Sequence, residues 1–172
     1  MKKALLMVIS MMLSITMIGN TALAGENLFK DKTSVKMKSN LLDKNIKKDK
    51  VSETAEQRGD FFIRADLAIS DEGNGSIGAV AIGYLAVDVD EAYISVYLDQ
   101  YDEKEDFWYQ VEYYDAEFYA EDYPNGLSTP TVNITFQKVP KGHYYRLRGA
   151  FSAVKDNKFE GFSPVTDGIW IE

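Results

Sequence analysis

The 172-residue chain has no cysteine and one histidine, His143. Without cysteine there are no disulfides and no lipid-modified cysteine, so stability has to come from a packed core. Serine–histidine catalysis would rest on His143 alone, and no nucleophile-elbow sequence accompanies it. A zinc site is equally ill provided for, because only carboxylates remain as partners for that single imidazole. After Ile18 the chain also lacks any long apolar run. A membrane-spanning helix needs about 20 such residues, and no stable membrane anchor is expected.

Basic residues are scarce over most of the length. From Asp60 onward eight Lys and Arg stand against 21 Asp and Glu, whereas residues 25–59 hold nine against six. An acidic body repels phosphate backbones, which argues against nucleic acid as a partner. The same charge keeps a monomer soluble, and a monomer is expected.

Met1-Lys2-Lys3 gives a positive start, Ala4 to Ile18 is apolar except for Ser10, Ser14 and Thr16, and Ala22-Leu23-Ala24 follows. This is the pattern of a secretory signal peptide over residues 1–24, cleaved after Ala24, and it predicts a secreted, extracellular product. Residues 25–59 contain one aromatic, Phe29, and no proline among many Lys, Asp, Ser and Asn. So polar a stretch does not offset the entropy of ordering it, and it reads as a flexible basic linker or pro-segment. Against this, Val35, Leu42 and Ile46, with Leu41 beside them, could line one side of a short amphipathic helix.

Residues 60–172 read as one all-β domain. Seven strands are expected: Phe61 to Ile69, Ser76 to Val87, Ala92 to Tyr101, Phe107 to about Tyr114, Thr131 to Gln137, His143 to Val154, and Phe159 to Ile171. In Ala92–Tyr101 the alternation places Ala92, Ile94, Val96 and Leu98 inward and Tyr93, Ser95, Tyr97 and Asp99 outward. Turn signals at sandwich spacing separate the runs, and an antiparallel sandwich follows.

Three features carry candidate chemistry. Asp99, Asp102, Glu103, Glu105 and Asp106 fall within eight residues, an oxygen-rich set of the type calcium wants; Asp71, Asn74 and Ser76 form a second such loop. The plainer alternative is a charged, soluble hairpin tip. Trp108, Tyr109, Tyr113, Tyr114 and Tyr119 are interleaved with carboxylates, as on a glycan-binding platform, although any two-sided strand also needs rings. Arg146 and Arg148 alternate with Tyr145 and Leu147, which puts both on an outer face. Paired carboxylates leave a small glycosidase as the least favoured reading, since such pairs work inside a cleft. The expectation is therefore a non-enzymatic binding module without cofactor, whose partner is an extracellular protein or glycan. A calcium-stabilised adhesion-type domain is the further alternative.

The stretch Val139-Pro140-Lys141-Gly142-His143-Tyr144-Tyr145-Arg146-Leu147-Arg148-Gly149 resembles the start of strand F in fibronectin type III and other immunoglobulin-like sandwiches. There Tyr145 would set its hydroxyl against the backbone of the preceding corner. Asp156 to Ser163 and Thr166 to Ile169 look like the final hairpin and strand G. With the leader, the layout from Phe61 to Glu172 also resembles an uncharacterised family of small exported proteins of Gram-positive bacteria, mostly clostridia. That resemblance implies an envelope or extracellular setting and brings no activity with it.

Overall fold

A computed structural model describes Lys30, residues 33–54 and residues 59–172. The expected signal peptide lies outside the described residues. The fold is all-β, two antiparallel sheets packed in a sandwich-like arrangement, with no α-helix among the described residues. One sheet has the order β1-β2-β3-β6, formed by β1 (Lys48–Thr54), β2 (Phe62–Gly73), β3 (Ser76–Leu85) and β6 (Thr131–Phe136). The other runs β5-β4-β7-β8 through β4 (Glu91–Asp102), β5 (Phe107–Tyr119), β7 (His143–Lys155) and β8 (Lys158–Phe162). A short β9 (Ile169–Ile171) pairs with the first residues of β7, next to the part that β8 covers.

Among the described residues nine strands stand where seven are expected, for two reasons. The final run is two strands, because between β8 and β9 the Ser163–Gly168 stretch keeps only an isolated bridge to β7, Arg148↔Val165. The other addition, β1, falls inside the stretch read as a flexible linker, and pairs with β2 from Lys48↔Ser70 to Thr54↔Arg64. Composition misleads here because β1 needs little apolar surface of its own. It borrows an edge already built, and only Val51 packs against the core. The helix read into Val35–Ile46 is absent as well; turns occupy that stretch.

The core lies between the sheets. Leu67, Ile69 and Ile77 from one sheet meet Ile94, Leu98, Leu147 and Phe151 from the other, all essentially inaccessible to water. Alternation fixes which residues those are, since a one-residue slip would turn each strand over. Tight turns set the registers: Asn74 and Gly75 hold φ of 55° and 70° between β2 and β3, and Asp156-Asn157, at 49° and 61°, join β7 to β8. Positive φ at both central residues matches a hairpin turn to the twist of its strands.

Candidate functional site

The register of β4 against β7 pairs Asp99 with Arg146 and Tyr97 with Arg148 on the face turned away from the core. Residues directly opposite on one face touch, and here they build a charge cluster. Asp99 Oδ2 accepts from Arg146 Nε (3.1 Å) and Arg148 Nε (2.7 Å), while Oδ1 accepts from Arg148 Nη2 (3.0 Å). All three side chains are buried, at 0%, 0% and 2% exposure. The guanidinium of Arg146 sits 4.5 Å from the Trp108 ring centre, and that of Arg148 sits 4.8 Å from Tyr97. Trp108 in turn packs on Tyr101 at 5.0 Å and Tyr97 on Tyr113 at 6.5 Å. The result is a ladder of rings and guanidinium planes across β5, β4 and β7.

An outer sheet face would ordinarily be wet, and this one is dry because the chain ahead of β1 lies across it. Arg146 donates from Nη1 to the Met37 carbonyl (2.6 Å) and from Nη2 to that of Val35 (2.9 Å). Arg148 Nη1 donates to Thr33 Oγ1 (2.6 Å), and its Nη2 also reaches Gln110 Oε1 (3.0 Å). Two guanidinium groups face one carboxylate, so their other nitrogens turn to neutral oxygens of this clasp and of Gln110. Burial pushes the Arg146 guanidinium down from its ordinary value while Asp99 opposes the shift. The clasp is tied at its far end too. Asn40 donates from its backbone (2.8 Å) and its side-chain amide (3.1 Å) to Asp167, and Leu42 N donates to Gly168 O (2.9 Å). Gly168 leaves room for Trp108, since a Cβ there would fall 2.6 Å from the ring edge.

The residues singled out for calcium do not converge. Asp99 is taken by the arginines, Asp102 Oδ1 accepts from the backbone of Lys104 at 2.8 Å, and Asp106 accepts from the Tyr101 hydroxyl. Glu103 and Glu105 are exposed at the turn. No group of three or more His, Asp or Glu side chains is placed to hold a metal ion among the described residues.

The aromatic residues of β5 divide between two faces. Opposite β4, Trp108, Tyr113 and Tyr119 share the outer face with Tyr101, Tyr97 and Glu91, whereas Tyr109 and Tyr114 lie opposite Gln100 and Val96 on the other. Trp108 is only 6% exposed; Tyr113 and Tyr114 are open to water at 53% and 44%. Tyr119 is half-buried, donates to Glu117 Oε2 (2.6 Å) and meets Tyr93 edge-on. They form no single flat row.

At the sandwich edge β5 and β6 each end a sheet, and their free edges border a groove of about 480 Å³. Tyr114, Ala116, Phe118, Tyr123 and Ile134 line it together with the polar Asp115, Glu117, Thr131 and Asn133, so its walls are mixed. His143 lies elsewhere, in a cleft beside Gln100, Lys104 and Tyr109 that no serine or threonine lines among the described residues. Tyr145, at the start of β7, donates its hydroxyl to the Pro140 carbonyl (2.7 Å) and lies 3.0 Å from Gln100 Oε1; burial pushes its phenol well up.

Sequence reasoning missed the ladder as a unit, the clasp and the groove. Two signals pointed toward them. Asp99, Arg146 and Arg148 all fall on outward positions, and Thr33, Val35, Met37 and Ser39 are the half-buried members of a polar run whose alternate residues are exposed. Compared with known proteins, the chain matches no family model and no curated protein.

Proposed function

We propose that this chain is an exported, non-enzymatic binding module, built on an immunoglobulin-like sandwich of fibronectin type III type, which takes its ligand along the open edge of β5. Export rests on the leader over residues 1–24. The immunoglobulin-like reading is supported by strand order. With β2, β3, β4, β6 and β7 as strands A, B, C, E and F, A, B and E share one sheet, and C and F share the other. In such folds an added C′ strand sits on the sheet that holds C, which is the position of β5. The Tyr145–Pro140 contact spans the corner before strand F, where those domains carry a tyrosine bonded to backbone a few residues upstream.

The observation that carries the functional reading is β5 itself. It is 13 residues long, pairs on one side only among the described residues, and leaves Tyr109, Val111, Tyr113 and Tyr114 open to water. Free edges are templates for strand addition, and proteins usually shorten, cover or charge them. Here Glu112, Asp115 and Glu117 charge a strand that carries no base of its own, and among the described residues Lys30 pairs with Asp115 alone, so two copies repel edge to edge while a complementary ligand is not repelled. A protein ligand is favoured over a glycan because the rings face two ways.

Purified chain immobilised against envelope proteins and cell-wall glycans of the producing cell tests this. A ligand should be retained by the parent and lost by a Tyr113→Ser/Glu117→Lys variant of unchanged melting temperature. Retention of nothing, or equal retention by both, refutes the proposal.

A further inference from the structure

We infer that the partner of β5 is an extended protein segment in which basic and apolar residues alternate, and that it adds to the free edge as a further strand. The inference rests on the binding-module reading and names its ligand. A strand laid beside β5 must place successive side chains on opposite faces of the sheet, and the two faces of β5 differ in chemistry. On the outer face Tyr113, Asp115 and Glu117 lie opposite Tyr97, Ser95 and Tyr93. On the other face Tyr114, Ala116 and Phe118 lie opposite Val96, Ile94 and Ala92 and form one wall of the β5–β6 groove, with Tyr123 and Ile134 across it. Cross-strand neighbours on one face interact. One set of partner side chains therefore meets carboxylates, and the other meets Tyr114, Ala116 and Phe118 in a groove whose lining is part apolar and part polar.

The chain itself displays what the outer face does with an ammonium group. Lys30 Nζ is ion-paired to Asp115 and stands 5.4 Å from the centre of the Tyr113 ring, while Tyr97 donates its hydroxyl to the Lys30 carbonyl (2.7 Å). Carboxylate and ring face together suit a lysine better than either does alone. Lys30 is a resident occupant of one of the positions a partner lysine would take, and Glu117 is a second carboxylate on the same face two residues on. Its oxygen accepts only from Tyr119 in the contacts described. The body's charge, eight bases against 21 acids from Asp60 onward, draws a basic segment in and favours its encounter at low salt.

The test uses the intact chain and three fluorescein-labelled nonapeptides read by fluorescence anisotropy: one alternating lysine with valine, one of the same composition with its lysines contiguous, and one alternating glutamate with valine. The alternating lysine peptide should bind at least tenfold more tightly than the contiguous one, and the glutamate peptide should not bind. Asp115→Asn/Glu117→Gln should weaken it tenfold or more, and Lys30→Ala, which vacates a position, should strengthen it severalfold. Amide hydrogen exchange should slow within residues 107–119. Equal affinity for the two lysine peptides, protection confined to other strands, or no binding overturns the inference. If no peptide binds but an envelope ligand is still lost on β5 substitution, the binding-module reading stands and the strand-addition partner does not.

Discussion

The outer face of the β5-β4-β7-β8 sheet is treated in two ways along its width. Over β4, β7 and the Trp108 end of β5 the chain covers it with its own residues 33–42; further along β5, at Tyr113 and Glu117, it is left open among the described residues. Both regions combine rings with charge, and the sign of the excess separates them. Around Asp99 there are two guanidinium groups for one carboxylate, and the surplus donors are met by carbonyl and hydroxyl oxygens of the clasp. On β5 there are three carboxylates and, among the described residues, one lysine ion pair to meet them. A charged sheet face becomes interior when the chain supplies every remaining partner, because a buried charge is tolerable only if fully paired and hydrogen-bonded. Where the chain supplies one partner of several, the face stays a surface.

Removing the central carboxylate should break the covered region outright. Asp99→Ala leaves two buried guanidinium groups without a counter-charge, and a cost of about 3–5 kcal/mol is expected from denaturant unfolding. Arg146→Met is milder. Asp99 keeps its two-point contact with Arg148, but the carbonyls of Val35 and Met37 lose their donor and Trp108 its cation, at about 2–3 kcal/mol. In that variant the clasp should detach before the sandwich unfolds, so trypsin should cut after Lys36 and Lys38 at concentrations that leave the parent intact. Resistance equal to the parent's would mean that the Asn40–Asp167 end alone holds the clasp.

Why these regions differ in legibility follows from the range of the signals. The strands of residues 60–172 could be read because alternation and turn residues are local, and the inward set Ile94, Val96 and Leu98 is that of the structure. The corner before β7 is equally local, since Pro140, Gly142 and Tyr145 lie within six residues. The ladder could not be read, because Asp99 and Arg146 meet only through a register 47 residues apart in sequence. Residues 33–54 misled for a related reason. Their polarity reads as disorder, yet they are ordered by hydrogen bonds to a preformed sheet rather than by apolar burial. The aromatic density of β5 was visible, but a bulge opposite Leu98 and Asp99 shifts the alternation, and with it the face on which each ring falls.

Two smaller perturbations sharpen the comparison from either side. Tyr145→Phe removes the hydroxyl that ties the start of β7 to Pro140 and should cost about 0.5–1.5 kcal/mol, the net worth of one hydrogen bond. The clasp should stay protease-resistant in it, since neither arginine loses a partner. At β1, the other anchor of the N-terminal stretch, burial raises the Asp66 carboxyl, but hydrogen bonds from Lys50 and Ser52 and the charges of Lys50 and Arg64 outweigh it and hold it below its ordinary value. Its contribution is therefore present above about pH 4 and is lost as pH falls through the depressed folded value. Lys50 is half exposed and screened by water, so Asp66→Asn should cost about 0.5–1 kcal/mol at pH 7. The gap between variant and parent should close as acid protonates Asp66; a gap constant with pH would assign the loss to packing.

The smallest expected effect on stability belongs to the open edge, and that smallness is itself informative. Tyr113 and Glu117 are exposed, and Tyr113→Ser or Glu117→Gln removes no contact that the core depends on, so each should change unfolding free energy by no more than about 0.5 kcal/mol. A residue kept for folding should cost more than one kept for a ligand. If Tyr113→Ser instead destabilises as strongly as Arg146→Met, the Tyr97–Tyr113–Lys30 contacts belong to the clasp, and the boundary between covered and open sheet moves outward to β5 itself. If it is neutral and ligand retention falls, the boundary runs along β5 beyond Trp108 and Gln110, where the chain's own oxygens give out.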